Sequence, residues 1–358
     1  MRTQDTRTRR GPGTRAKRVR RAAGQGPEDE ADGGSGAYAA LDLGTNNCRL
    51  LVAKPVGEGF RVVDAFSRIV RLGEGLETTG RLAEAAMDRT VAALRVCASK
   101  MDRKRVIKAR NVATEACRRA GNCEEFLDRV CGEIGLRFEI ISPQEEARLA
   151  LAGCIPLLLE GYPYAIVFDI GGGSTEVMWV EIPGDGSVEL IETLSLPVGV
   201  VNLAEIHGGG EITGRQYETM VEVIARELAA FEARHGISGA IGDGQVQMLG
   251  TSGTVTTLAG IHLGLPAYDR SVVDGCFLGF HDVTEVTRYL MGLDFAGRAQ
   301  EPCVGTMRAD LVVAGCAILE AICRTWSVGR LRVADRGVRE GILLGLMRLA
   351  VRPEPFRA

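Results

Sequence analysis

What this 358-residue chain has little of already narrows its class. Histidine is scarce, and His207, His235, His262 and His281 are too scattered to supply a zinc cluster. Ten cysteines are present, yet no two stand at CxxC spacing. At this length they read as reduced thiols, with Cys97, Cys131, Cys154, Cys316 and Cys323 on apolar faces of helix-like stretches. No apolar run is long enough to span a membrane. The arginine pairs Arg9-Arg10 and Arg20-Arg21 are followed by no apolar segment, which argues against a secretory or twin-arginine signal. A cytoplasmic protein with no membrane partner is expected. An excess of one charge is missing too: the formal net charge is −3, which argues against a general nucleic-acid coat.

What is present is a globular composition, 46% apolar and 25% charged, in a chain long enough for two ordinary domains. The 46 glycines gather in short clusters between apolar runs, as backbone-lined loops do. Residues 1–36 form a tail, basic first and then acidic and glycine-rich (Glu28, Asp29, Glu30, Asp32, Gly33, Gly34). With little to bury, this tail is expected to be disordered; a basic arm that attracts a polyanion is the functional alternative.

Order is expected from Tyr38. Tyr38–Leu41 and Arg49–Ala53 read as strands around a turn at Gly44–Asn47, and Phe60–Val70 continues the sheet. Ala83–Lys100 reads as a helix with Met87, Val91, Leu94 and Ala98 on one stripe. Val106–Val112 and Arg137–Ile141 read as strands, and Asn122 with Glu125 as a capping box between them. A second set follows. Tyr164–Phe168 is an apolar strand, with Thr175–Ile182 and Val188–Leu194 as antiparallel neighbours. Val246–Leu249 and Leu331–Ala334 are further strands; Gly214–His235, Val283–Met291, Met307–Trp326 and Val338–Leu349 are helices. The expected division is residues 37–142 plus 337–352 for one domain and 143–336 for the other.

The architectural clue is a repeat. Ala40-Leu41-Asp42-Leu43-Gly44-Thr45-Asn46 resembles Val167-Phe168-Asp169-Ile170-Gly171-Gly172-Gly173-Ser174: an apolar strand, an aspartate, one apolar residue, then a glycine turn. Two such hairpins, one per domain, imply a duplicated fold with a cleft between the halves. Each turn exposes N–H groups able to cradle phosphate, and Thr45, Asn46, Ser174 and Thr175 add side-chain donors. The aspartates Asp42 and Asp169 could hold a hydrated Mg²⁺. A third turn, Gly250-Thr251-Ser252-Gly253-Thr254, could close the far side of a phosphate or nucleotide site, or be a helix start capped by Ser252 or Thr254.

In Ser142-Pro143-Gln144-Glu145-Glu146-Ala147-Arg148, Ser142 fits the N-cap, Pro143 the first helical position and Glu145 the reciprocal capping partner. Glu146 has no such structural task, and a carboxylate there could serve as a general base on water. Thr114-Glu115-Ala116-Cys117-Arg118-Arg119 follows a strand, and an arginine in such a loop can clamp phosphate. Composition alone barely separates Arg118 from Arg119. His281-Asp282 lacks the further histidines an HD metal site needs; Asp282 with Glu285 fits a capping box better.

These segments, together with Arg308-Ala309-Asp310 and Asp335-Arg336-Gly337-Val338-Arg339-Glu340-Gly341, occur in an order that resembles the exopolyphosphatase/guanosine pentaphosphate phosphohydrolase (Ppx/GppA) family. The resemblance runs from Tyr38 to Leu349. It implies an α/β fold of two actin-like (ribonuclease H-like) domains of the ASKHA superfamily, with an interdomain cleft. It implies Mg²⁺-dependent hydrolysis of terminal phosphoanhydride bonds in inorganic polyphosphate, in the stringent-response nucleotide pppGpp, or in both. By resemblance, Glu146 is the catalytic glutamate and Arg118 the phosphate-contacting arginine. Asp169 and Glu176 are the acidic pair at the metal, with Asp42 a further candidate and Glu176 also counted as catalytic. The phosphate cradle is then Gly44, Thr45, Asn46, Gly171, Gly172, Gly173, Ser174, Thr175, Thr251, Ser252, Gly253 and Thr254. Family members commonly form homodimers. The chain departs from the pattern at Asn47 and Arg119, and it reads as the short form, without a C-terminal HD-like domain. The rival readings are a non-catalytic (p)ppGpp- or polyphosphate-binding module and an actin-like kinase.

Overall fold

The alternation of side chains along two central strands explains most of the architecture. In the computed structural model the described residues are 36–351, apart from 58, 209 and 210. All but the last residue of the tail expected over 1–36 lies outside them. Strand β1 (Ala37–Leu43) pairs antiparallel with β2 (Asn47–Val56), which pairs with β3 (Gly59–Ile69). On its other edge β1 runs parallel to β4 (Val106–Ala113), and β4 to β5 (Glu139–Ile140). The second sheet is built likewise from β6 (Tyr164–Ile170), β7 (Thr175–Glu181), β8 (Glu189–Leu196), β9 (Val246–Thr251) and β11 (Arg330–Ala334). A short β10 (Phe277–Gly279) adds one strand at its edge. The orders β3-β2-β1-β4-β5 and β10-β11-β9-β6-β7-β8 are the same path traced twice. The repeat read in the sequence is therefore a repeat of topology, and this is the two-part actin-like α/β fold.

Successive residues of a strand face opposite sides of its sheet. Leu41 and Leu43 point away from the second sheet into a core formed with the helices Glu84–Arg103 and Cys123–Ile134. Ile166 and Phe168 point into the corresponding core of the second sheet, with Phe231, Ile318 and Trp326. The residues between them do the reverse. Ala40, Leu51, Val167 and Met178 share a third core with the helices Pro143–Cys154 and Val338–Val351. Those two helices lie between the sheets and touch backbone to backbone. A β-carbon at Gly341 would stand 2.0 Å from the Leu149 carbonyl oxygen, and one at Gly153 would stand 2.2 Å from that of Gly337. Only glycine permits this approach.

The same parity fixes the site. Asp42 shares a face with Ala40, Arg49 with Leu51, Asp169 with Val167, and Glu176 with Met178. All four therefore project toward the space between the sheets, at the strand ends where the two hydrophobic faces give way to a cleft.

Some local expectations are corrected. The helix expected from Met307 begins at Val312. Asn122 does not form a capping box with Glu125. Its amide instead bridges to the N–H and C=O of Leu82, at 2.8 and 3.0 Å. Asp282 does serve a cap, but as the third residue of a helix starting at Phe280: its carboxylate accepts the Gly279 N–H at 3.0 Å. No helix among the described residues is long and apolar enough to cross a membrane.

Candidate active site

Both glycine turns close in the same way. The Gly44 N–H donates to the Asn47 carbonyl at 2.9 Å, and the Gly171 N–H to the Ser174 carbonyl at 2.9 Å. This leaves the N–H groups of Thr45, Asn46, Gly172 and Gly173 with no backbone acceptor among the described residues. The turns face each other closely. A β-carbon on Gly172 would stand 3.0 Å from the Asn46 nitrogen, and one on Gly173 would stand 2.7 Å from Thr45 Oγ1. Glycine is required here by the opposite half of the molecule rather than by the local turn.

Between the turns lies a cavity of about 120 Å³. Its walls include Gly44, Thr45, Asn46, Gly171, Gly172, Gly173 and Ser174, together with Asp42, Glu146 and Asp169. Gly253 and Thr254 of the third turn complete it. Sequence reasoning thus brings most of its site residues together. Three of its assigned hydroxyl side chains are occupied elsewhere. Thr175 is fully buried, and its hydroxyl donates to the Val198 carbonyl at 2.7 Å. The Thr251 hydroxyl donates to the Arg336 carbonyl at 2.7 Å. Ser252 lines the cavity but caps the helix Gly253–His262, accepting the N–H groups of Thr254 and Val255 at 3.1 Å each.

Glu146 and Glu145 part company as expected, though for a different reason. Ser142 caps the helix through the Glu145 N–H at 3.1 Å, but the Glu145 carboxylate does not return to Ser142. It pairs with Arg110 at 2.9 Å and Arg148 at 2.8 Å, outside the cleft. Glu146 points inward and accepts from Arg118 at 2.8 Å. Burial, reinforced by the charge of Glu176, pushes its carboxyl well above the usual range against the pull of Arg118.

The acidic pair lies directly opposite in the β6–β7 register, Asp169 against Glu176. Burial, with Asp42 nearby, raises Asp169 to about 7 despite Arg49. Burial and then the charge of Asp169 raise Glu176 to about 7, although Ser174 and Ser195 donate to it, the latter at 3.0 Å. Asp42 is likewise raised by burial, with Arg49 opposing. Like charges across a strand pair repel. Carboxylate oxygens are the ligands a hard divalent cation takes, but those of Asp42, Asp169 and Glu176 do not converge within 4.8 Å of one another as a group of three. The group of three that does converge among the described residues, His281, Asp282 and Glu285, is largely exposed at the start of a helix, where the positive end of the dipole disfavours a cation.

Two cavity residues were given no role in the sequence reading. Arg49 is the register partner of Asp42, and its side chain forms no hydrogen bond among the described residues. Arg308 makes one long contact, 3.3 Å to Thr257. Burial, together with Arg49, depresses its pKa. The repeat itself carried a signal for Arg49, since it stands seven residues after Asp42 just as Glu176 stands seven after Asp169. A second cavity of about 340 Å³ adjoins the first, sharing Arg49 and Arg308 and adding Arg270, Arg336 and Arg339.

The chain resembles known proteins in sequence and in fold. Residues 51–350 match the profile of the Ppx/GppA phosphatase family. The chain is 31% identical over 330 residues to Exopolyphosphatase 2 of Mycobacterium tuberculosis, covering 86% of this chain and 98% of that protein. It superposes on the Aquifex aeolicus member of the Ppx/GppA family with a TM-score of 0.73 at 28% identity, covering 89% of this chain and 100% of that one. An exopolyphosphatase-like protein gives a TM-score of 0.81 at 27% identity, over 89% and 99% of the two chains.

Proposed function

The chain belongs to the Ppx/GppA phosphatase family, and from that premise we propose that it releases orthophosphate from the end of inorganic polyphosphate, from the 5′-γ position of pppGpp, or from both. The observation that carries this reading is a carboxylate, Glu146, at a cavity whose walls also include the glycine turns with free N–H groups and the arginines Arg49 and Arg308, which form no salt bridge among the described residues.

The terminal phosphates lie against the free N–H groups of Thr45, Asn46, Gly172 and Gly173, with Arg49 and Arg308 balancing their charge. Glu146 orients a water and takes its proton. The water oxygen forms a bond to the terminal phosphorus as the bridging P–O bond breaks, and the bridging oxygen stays with the shortened chain. Burial raises the basicity of the Glu146 carboxylate, the property a general base draws on. Mg²⁺, held by Asp169 and Glu176 with Asp42 beside them, would supply charge neutralisation on the phosphate oxygens. The adjoining cavity, with Arg49, Arg308 and Arg339 among its walls, gives a linear polyanion room to continue; its Arg270 and Arg336 are already paired with carboxylates. A cytoplasmic setting accords with ten free cysteines.

The test is phosphate release in the presence of Mg²⁺ from long-chain polyphosphate and from pppGpp, compared side by side. Glu146→Gln should lower turnover at least ~100-fold while substrate still binds. Near-normal turnover in that variant, or no release from either substrate by the unaltered protein, would sink the reading. The second outcome would favour a binding module.

A further inference from the structure

Arg118 carries the family expectation of a phosphate contact, but its surroundings assign it other work. Its Nε donates to Glu115 Oε2 at 3.0 Å. One terminal nitrogen donates both to Glu146 Oε2 and to the Ile141 carbonyl, each at 2.8 Å. The other terminal nitrogen lies 2.8 Å from Glu115 Oε2 as an ion pair but makes no hydrogen bond. Its guanidinium is thus enclosed by two carboxylates and a carbonyl. It does not line the cavity, whereas Glu115 and Glu146 do. The cations that face the cavity are Arg49 and Arg308. The one donor nitrogen of Arg118 left without an acceptor is buried, away from the cavity walls, so a phosphate oxygen reaches Arg118 only after the carboxylates around it move.

The anchor points are themselves rigid. Ile141 immediately precedes Ser142, the N-cap of the helix that carries Glu146, so Arg118 grips both the start of that helix and its functional side chain. The Glu115 side chain is wedged against the second glycine turn, where a β-carbon on Gly173 would stand 3.0 Å from its Cγ. Glu115 therefore fixes Arg118 relative to the turn, and Arg118 fixes Glu146. Arginine suits the task because its planar fork reaches both carboxylates at once, which a lysine ammonium could not do in this geometry.

We infer that Glu115 and Arg118 form a clamp that orients the Glu146 carboxylate toward the attacking water, so that Arg118 is a positioning residue acting through Glu146 rather than a ligand of phosphate. This rests on the reading of Glu146 as the base. Misplacing a catalytic group by about 1 Å can cost ~100-fold in rate.

The experiment pairs kinetics with binding. Arg118→Met and Glu115→Gln are made in the unaltered protein, and Arg118→Met also in a Glu146→Gln background. Folding is checked by circular dichroism melts. In the single variants kcat should fall roughly 10–100-fold with KM changed less than about 3-fold. In the double variant the loss should exceed that of Glu146→Gln by less than about 3-fold, since residues acting as one unit are not additive. Calorimetric titration with tripolyphosphate should give the same Kd for Glu146→Gln with and without Arg118→Met. A KM rise or Kd weakening of about 10-fold or more, or a fully additive double variant, would overturn the clamp. If Arg118→Met does not fold, Glu115→Gln carries the kinetic test alone, because its shape is preserved. Should Glu146→Gln keep its turnover, the assignment of the base fails and the clamp falls with it. Loss of turnover in Glu146→Gln combined with additive behaviour of Arg118→Met would overturn the clamp only.

Discussion

The two hairpins of this molecule share a path, a turn closure and an inward-facing aspartate, yet at one matched position they carry opposite charges. In β1–β2, Asp42 faces Arg49; in β6–β7, Asp169 faces Glu176. The first pair is neutral by itself. The second pair repels itself, and burial raises both of its carboxyls to about 7. Duplication thus supplied two equivalent turns, and one residue per hairpin differentiated them into a basic side and an acidic side. The cleft joins them, and Glu146 reaches it from a helix held between the two sheets.

That contrast can be broken most severely on its acidic side. Asp169→Asn or Glu176→Gln should each lower Mg²⁺-dependent phosphate release by ~100-fold or more, measured at saturating substrate. Retention of Mg²⁺-dependent turnover in both would remove the acidic pair from the reaction. On the basic side the effect should be one of binding. Arg49→Met should raise KM roughly 10–150-fold, equivalent to losing a charge-assisted contact of about 1.5–3 kcal/mol, with a smaller change in kcat. A kcat defect at unchanged KM would show that the hairpins are not divided in this way.

A third test uses pH. Asp169 and Glu176 have folded-state pKa values near 7, above their ordinary values of 3.8 and 4.5. The folded protein therefore binds these protons more tightly than the unfolded chain. The associated stability is present below about pH 4 and is lost as pH climbs through about 7. In EDTA, the unaltered protein should melt at a lower temperature at pH 8 than at pH 5.5, and Mg²⁺ should restore more stability at pH 8. Asp169→Asn should flatten the slope. An unchanged slope in that variant would show that the acidic pair does not set it. The smallest effect is expected at Thr175→Val, which should cost about 1 kcal/mol of stability and leave turnover within roughly 2-fold, because its hydroxyl serves Val198 and not the cavity. A large loss of turnover would return Thr175 to the cradle.

Much of this was legible along the chain. The glycine turns, the two aspartates and the capped helix start at Ser142 all rest on local chemistry. Turn closure, strand alternation and helix capping involve residues within a few positions of one another, and the sequence displays such neighbours directly. The duplication was visible for the same reason, since each copy is a local pattern.

Partner choice was not legible. Asn122 could have capped its own helix, but the backbone of Leu82, 40 residues earlier, took its amide. Glu145 could have closed a capping box, but Arg110 and Arg148 drew its carboxylate away. Arg118 could have faced phosphate, but Glu115, Ile141 and Glu146 enclosed it, leaving Arg49 and Arg308 as the cations that line the cavity. By itself the sequence determined where the cradles are and which side chains they offer. Tertiary structure decided which of those side chains remain uncommitted. A hydrogen-bonding group has few bonds to give, and whether they are already used depends on neighbours that only the folded chain brings within 3 Å of it.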